Sequence, residues 1–117
     1  MTSIIKEGWM TKEGAVRKSW RRRWFILYDS RILSYYANER LLSSPKGTVD
    51  MAIATAVVPK HLAGSTGWPG SAGEERSFGI VTPERTFRVF TDTESESREW
   101  RKVLEDMINR VESDSDS

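Results

Sequence analysis

The feature that most constrains the fold is a single helical pattern near the end of the chain. Apolar residues recur there at intervals of three and four: Trp100, Val103, Leu104, Met107 and Val111. This spacing places them on one face of a helix. Thr93 precedes the pattern and Glu96 follows three residues later, which is the spacing of a capping box. The sequence therefore predicts one amphipathic helix, over residues 94–112.

Short runs rich in branched and aromatic residues precede this helix and predict strands. The predicted strands are 4–12, 20–28, 31–37, 47–51, 53–58, 76–82 and 85–91. Residues 59–75 contain four glycines and two prolines, which predicts a long loop. Trp68 lies within this loop, where it could either dip into a lipid interface or fold back over the sheet. We favour the second interpretation.

Length and composition indicate one small domain. The chain has 117 residues, no cysteine, and no apolar run near the length that spans a bilayer. The first residues lack the extended apolar region of a signal peptide, so we expect a cytoplasmic protein. We assign 1–112 to the domain. Residues 113–117 are polar and acidic, which predicts a disordered tail.

The candidate binding feature is a basic hairpin. Residues 12–25 contain six Lys or Arg residues around a glycine turn. Alternation along a strand places Arg21 and Arg23 on the face of Phe25, and Lys12 points towards them from the partner strand. Like charges that converge in this way are costly unless an anion neutralises them, which predicts a phosphate pocket. The alternative is a solvated, charged strand that protects an edge from aggregation.

The chain resembles a pleckstrin homology domain over residues 4–111. The basic motif is similar at Lys12, Arg21 and Arg23, which are followed by Phe25 and Ile26. Four further segments are similar to the first four strands of the family: Glu7-Gly8-Trp9-Met10, Trp24-Phe25-Ile26-Leu27, Leu33-Ser34-Tyr35-Tyr36 and Pro45-Lys46-Gly47-Thr48-Val49-Asp50. Trp100 stands where the family has a tryptophan in its C-terminal helix.

This resemblance implies a mostly β fold with one C-terminal α-helix. Seven strands would form a bent antiparallel sheet pair, a partly open barrel, and the helix would close one end of it. The binding mouth would then be the other end. The resemblance also implies a membrane-targeting module that binds the headgroups of 3-phosphorylated phosphoinositides, either the 3,4,5-trisphosphate or the 3,4-bisphosphate.

The implied headgroup residues come from the hairpin, the third strand and the loop that follows it. They are Lys12, Arg21, Arg23, Tyr35, Lys46, Arg17 and Lys18. Some trisphosphate-selective relatives carry a further basic residue at the position of Val16. The turn at Thr82-Pro83-Glu84 is also shorter than in some selective relatives. Both departures leave 4,5-bisphosphate and phosphatidylserine-rich membranes open as ligands.

Charge is distributed unevenly along the chain, although the net charge is only +1. Residues 1–40 hold nine basic and four acidic residues, whereas residues 90–117 hold four basic and nine acidic ones. Such a dipole would orient the domain towards an anionic membrane, to which we expect reversible recruitment. Acidic residues near a helix start also suit the helix dipole.

Other function classes find less support in the sequence. His61 has no cysteine or second histidine to complete a metal site or a nucleophile pair, so we expect no enzyme, no metal and no cofactor. Trp20 and Trp24 alternate with arginines, as in some nucleic-acid-binding proteins. A net charge of only +1 is nevertheless too small to favour binding to a long polyanion. A protein-interaction scaffold of the same fold remains an alternative. We expect a monomer whose partners are phosphoinositides and anionic membrane surfaces.

Overall fold

The computed structural model describes residues 2–15 and 19–115, with residues 111–115 described by their backbone only. Within these ranges the elements are β1 (Ile4–Glu13), β2 (Trp20–Tyr28), β3 (Ile32–Tyr36), β4 (Gly47–Asp50), β5 (Ala56–Pro59), β6 (Ser77–Val81), β7 (Thr86–Phe90) and α1 (Glu94–Ser115). The strands form one antiparallel sheet in the order β4-β3-β2-β1-β7-β6-β5. The predicted fold class is therefore confirmed.

The sheet is bent at β1, which belongs to both of its halves. β1 pairs with β2 along nearly its whole length, from Ile4↔Tyr28 to Glu13↔Trp20. It pairs with β7 only through Thr11↔Phe90 and Lys12↔Val89. Because this second pairing is confined to the end of β1, the two halves are free to diverge, and the edge strands β4 and β5 do not pair with each other.

Helix α1 closes the end of the sheet where the two halves diverge. Trp100, Leu104, Met107 and Ile108 are buried in the core. The Trp100 ring lies 6.5 Å from the ring of Phe25, centroid to centroid. The predicted apolar face is confirmed at Trp100, Leu104 and Met107, and Val103 is partly buried against the core. The side chain of Val111 lies outside the described residues.

The start of α1 agrees with the predicted capping box. The backbone N–H of Glu96 donates to Oγ1 of Thr93 at 3.1 Å. The Thr93 hydroxyl donates in turn to Oε1 of Glu96 at 2.9 Å. The helix continues to Ser115, so three residues that we assigned to the acidic tail are helical.

The fifth strand begins later than predicted. We expected it over 53–58, but β5 covers Ala56–Pro59. The Asp50 carboxylate accepts a hydrogen bond from the backbone N–H of Ala52 at 2.9 Å, and the Ile53 N–H donates to the Asp50 carbonyl at 3.3 Å. Asp50 thus forms a side-chain-supported turn, which takes residues 51–53 out of the sheet.

The long loop that we predicted over residues 59–75 covers residues 60–76, which form a strap over the outer face of β1, β2 and β7. It contains the short 3-10 turns Lys60–Leu62 and Glu74–Arg76. Trp68 folds back and stacks on Trp20, with ring centroids 5.2 Å apart. The indole N–H of Trp20 donates to the Gly67 carbonyl at 3.0 Å. The favoured interpretation of Trp68 is therefore confirmed.

A buried ion pair fixes the strap to the sheet. The guanidinium of Arg88 donates to both carboxylate oxygens of Glu13, with Nε 3.0 Å from Oε1. It also donates to the Thr66 carbonyl at 2.8 Å and lies 4.7 Å from the Trp68 ring centroid. Since Glu13 is the last residue of β1, this ion pair also anchors the start of the turn between β1 and β2.

No helix in the described ranges is long and apolar enough to cross a membrane.

Candidate functional site

Three connections meet at the end of the sheet opposite Trp100, which we call the open end. They are the β1–β2 turn (14–19), the β3–β4 loop (37–46) and the β6–β7 turn (82–85). Nη2 of Arg85 donates to the Glu13 carbonyl at 3.2 Å, which joins the third connection to the first. Ala15, Thr48 and Thr82, which lie in or next to these connections, line one cavity of about 360 Å³.

Lys12 occupies the centre of the open end. It pairs with Arg21 of β2 and with Val89 of β7, so it lies where three strands meet. Only 7% of its surface is exposed. Its ammonium lies 4.6 Å from the ring centroid of Tyr35 and 5.6 Å from that of Phe87. These rings stabilise a cation through their π faces but supply no negative charge.

No carboxylate of the described residues pairs with the Lys12 ammonium. The adjacent Glu13 points to the outer face, where it binds Arg88. Burial lowers the pKa of Lys12 below its usual 10.5, and the charges of Arg85 and then Arg23 lower it further, while the charge of Glu13 acts to raise it. A buried cation without a directly bonded carboxylate is costly, and an anion bound at the open end would offset that cost.

Arg85 is a residue of this group that the sequence reasoning missed. Its guanidinium lies 4.9 Å from the ring centroid of Phe87. We considered the 82–84 turn only for its shortness. The signal that could have found Arg85 is strand alternation, because Arg85, Phe87 and Val89 share a face and the last two are buried.

Tyr35 lines the cavity with its side chain and also contacts the ammonium of Lys12 with its ring. Burial raises the pKa of its hydroxyl, while the charges of Arg85 and Arg23 act to lower it. The hydroxyl is therefore a neutral hydrogen-bond donor at physiological pH. Its ring lies 5.3 Å from that of Phe25 and 5.9 Å from that of Phe87, which fixes its direction. The cavity is further lined by Val49, Asp50, Ile53, Glu84, Arg85 and Phe87, so two carboxylates face it beside one guanidinium.

Three other predicted site residues lie near Lys12 and Tyr35. Arg23 is half-buried and acts electrostatically on both Lys12 and Tyr35. Arg21 is exposed beside Lys12. Lys46 is exposed at the end of the β3–β4 loop, where its backbone N–H donates to the Tyr35 carbonyl at 2.7 Å. Arg17 and Lys18 lie outside the described residues.

Thus Lys12, Arg23, Tyr35 and Arg85 form one group, which we call the basic cluster. Arg21 and Lys46, which we call the rim, flank this cluster next to Lys12 and Tyr35 respectively. Arg22 points to the opposite face, where it pairs with Asp92 at 2.6 Å and lies over the ring of Trp9.

Gly47 permits the position of Tyr35, which predicts the effect of Gly47→Ala. A Cβ at this position would overlap the hydroxyl and Cζ of Tyr35 and would lie 3.0 Å from Cε1. The ring would have to leave its position beside Lys12, which would displace the hydroxyl that we expect to contact a bound anion. A hydrogen bond to a charged group is worth about 1.5–3 kcal/mol, so headgroup affinity should fall roughly tenfold.

Gly70→Ala is the matched control, because nothing lies within 4 Å of a Cβ built at Gly70. Titration of both variants with a soluble inositol phosphate, beside thermal melts, separates loss of the site from loss of the fold. Equal affinities for the two variants would show that the Tyr35 position is irrelevant to binding.

Comparison with known proteins gives one consistent family. The family model described as PH domain matches residues 4–109. Sterol 3-beta-glucosyltransferase of Aspergillus fumigatus is 32% identical over 117 residues, which is 99% of this chain. The chain spans 8% of the length of that relative.

Solved structures agree with this assignment. The C-terminal PH domain of pleckstrin in complex with D-myo-Ins(1,2,3,5,6)P5 is 26% identical, with a TM-score of 0.70 and coverage of 91% of this chain and 96% of that one. The same domain in complex with D-myo-Ins(1,2,3,4,5)P5 is 28% identical, with a TM-score of 0.65 and coverage of 88% and 96%.

Proposed function

The chain belongs to the pleckstrin homology domain family, and we propose that it binds phosphoinositide headgroups at its open end, with 3-phosphorylated phosphoinositides as preferred ligands. The observation that carries this proposal is the buried ammonium of Lys12, which has Arg23 and Arg85 nearby and no carboxylate partner among the described residues. The pleckstrin domain, which binds inositol phosphates in two solved structures, shares the fold and supports the ligand class.

Each residue of the basic cluster has a separate role in this proposal. Lys12 and Arg23 hold the 3-phosphate; Arg can bind two of its oxygens at once, whereas Lys acts as a point charge. The Tyr35 hydroxyl donates to a phosphate oxygen. Arg85, which the structure adds to the predicted set, contributes a further cation from the β6–β7 turn.

The residues of the rim extend the site outwards. Arg21 holds an adjacent phosphate, and Lys46 closes the site from the β3–β4 loop. Arg17 and Lys18, in the β1–β2 turn, contact either a phosphate or neighbouring anionic lipid. We infer the 3,4-bisphosphate and 3,4,5-trisphosphate as the best ligands because Lys12, Arg21 and Arg23 resemble the motif that the family uses for 3-phosphorylated lipids.

The cellular role that we propose is membrane targeting by a monomeric, non-catalytic module. The domain would be recruited reversibly from the cytoplasm when its lipid is produced. Its basic open end would face the membrane, and the acidic helix would face solvent. In a parent protein as long as the fungal relatives, any enzymatic activity would lie outside this domain.

Vesicle flotation with a competing headgroup tests the preferred ligand. We expect vesicles that contain phosphatidylinositol 3,4,5-trisphosphate to bind the domain at physiological salt, and soluble inositol 1,3,4,5-tetrakisphosphate to displace it. Vesicles of equal charge made with phosphatidylserine should bind weakly and lose the domain as salt rises, because diffuse attraction is screened over about 8 Å at physiological ionic strength. Phosphatidylinositol 4,5-bisphosphate vesicles complete the panel.

The contrary results identify the alternatives. Strong binding to phosphatidylserine without competition would favour an anionic-surface binder. Equal binding of the 4,5-bisphosphate would remove the 3-phosphate preference. Absence of binding to every vesicle would favour a protein-interaction scaffold of the same fold.

A further inference from the structure

Two exposed leucines stand at the open end and have no role in the fold. Leu41 is 56% exposed and Leu42 is 43% exposed. Both lie in the β3–β4 loop, which begins after Tyr36 and ends at Lys46. Neither belongs to the hydrophobic core. Adjacent exposed leucines raise the free energy of a protein in water unless a partner covers them.

The loop holds this pair at a defined position. The Asn38 side chain accepts a hydrogen bond from the backbone N–H of Arg40 at 2.8 Å, which forms a turn immediately before the leucines. At the other end, Lys46 is tied to Tyr35 through its backbone N–H. The leucines therefore lie in a loop that is tied at its end to Tyr35, a residue of the basic cluster.

The surroundings of the leucines match a membrane interface. Arg40 precedes them and Lys46 follows them, both are exposed, and with the exposed Glu39 they leave the loop a net positive charge. A short apolar segment flanked by cations is suited to a bilayer whose surface is anionic, because apolar groups enter the acyl boundary while the cations remain with the headgroups. Ile53, which is 50% exposed and lines the cavity, adds apolar surface on another side of the open end.

We propose that Leu41 and Leu42 insert into the lipid bilayer when the basic cluster holds a phosphoinositide headgroup. This inference rests on the proposed function and adds a second, apolar component to the same membrane contact. The headgroup fixes the open end against the membrane, and the leucines then replace contact with water by contact with acyl chains. Soluble headgroup binding does not involve them.

The proposal predicts that the Leu41→Ser, Leu42→Ser double variant separates two affinities. Its affinity for soluble inositol 1,3,4,5-tetrakisphosphate should stay within about twofold of the wild type, because no phosphate contact is lost. Its affinity for phosphatidylcholine vesicles that contain phosphatidylserine and phosphatidylinositol 3,4,5-trisphosphate should fall roughly tenfold or more, as expected for the apolar area removed.

Leu62→Ser is the matched control. Leu62 is 65% exposed, but it follows β5 at the end where Pro59 pairs with Phe78, away from the β6–β7 turn. This variant removes the same side chain from a surface that should not meet the membrane. It should retain both affinities.

A fluorescent label tests insertion directly. The chain contains no cysteine, so Leu42→Cys and Leu62→Cys each provide one thiol for an environment-sensitive dye. On the vesicles described above, the dye at position 42 should shift its emission to shorter wavelength, while the dye at position 62 should not. Soluble headgroup should leave both spectra unchanged.

Two results would overturn the inference even if the proposed headgroup binding is correct. One is wild-type vesicle affinity in the double serine variant. The other is an unshifted dye at position 42 on vesicles that bind the domain. If soluble headgroup fails to bind the wild type, the proposed function itself fails, and the dye then shows separately whether the loop enters anionic vesicles.

Discussion

Alanine in place of Trp100 is expected to lower the free energy of unfolding by about 3–5 kcal/mol, the range for truncation of a large buried aromatic residue. Trp100 is 1% exposed and packs edge-on against Phe25 at the end of the sheet opposite the open end. A small domain is typically stable by only about 5–15 kcal/mol, so the variant should lose a large fraction of its stability and melt at a clearly lower temperature. Thermal and urea melts measure this directly.

Trp24→Ala is the matched control for this prediction. Trp24 is only half-buried and packs against Trp9 on the outer face, with ring centroids 5.4 Å apart. Its removal should cost clearly less than that of Trp100. If Trp100→Ala melts within a few degrees of the wild type, the helix does not close the sheet through this residue.

Methionine in place of Lys12 is expected to abolish most headgroup binding without weakening the fold. The charge that binds phosphate is lost, which should reduce affinity by roughly tenfold or more, since charge-assisted contacts are worth about 1.5–3 kcal/mol. The apolar stem is retained between Tyr35 and Phe87. A melting temperature equal to or above that of the wild type should accompany the loss of binding.

The expected effect on stability follows from the direction of the pKa shift. The pKa of Lys12 is lower in the folded state than its usual 10.5, mainly through burial, so the charged form is less stable there than in the unfolded chain. This cost is present at neutral pH and is relieved as pH rises through the lowered pKa towards 10.5. Headgroup affinity should fall over the same pH interval, because the ammonium that binds the phosphate is lost.

Lys102→Met provides the comparison. Lys102 is exposed on α1 and pairs with Asp106 one helical turn away, so its loss should change neither binding nor melting much. A large loss of stability in Lys12→Met, with none in Lys102→Met, would mean that Lys12 is a structural residue and that its charge is compensated within the fold.

Local patterns predicted much of this molecule because they depend on neighbours in sequence. Alternation placed Lys12, Arg21 and Arg23 on one face, and the observed register Lys12↔Arg21 and Met10↔Arg23 agrees. The capping box at Thr93 likewise depends on residues three positions apart. In both cases the backbone geometry alone fixes which side chains meet.

The contacts that local patterns missed join distant segments. Arg85 reaches the basic cluster because β7 pairs with β1, across more than seventy positions of sequence. The strap is held by Arg88 and Glu13, and no periodic pattern links these residues. The later start of β5 has a local cause instead. The Asp50 carboxylate accepts a hydrogen bond from the Ala52 N–H, and this turn competes with strand pairing of the residues that follow.

Isothermal titration with soluble inositol 1,3,4,5-tetrakisphosphate, on the wild type, Arg23→Ala and Arg22→Ala, tests the central claim most directly. Arg22 and Arg23 are neighbours on β2, carry the same charge and point to opposite faces. We predict measurable binding to the wild type, a loss of roughly tenfold or more for Arg23→Ala, and little change for Arg22→Ala. Equal losses for the two variants, or no detectable binding to the wild type, would contradict a headgroup site at the basic cluster.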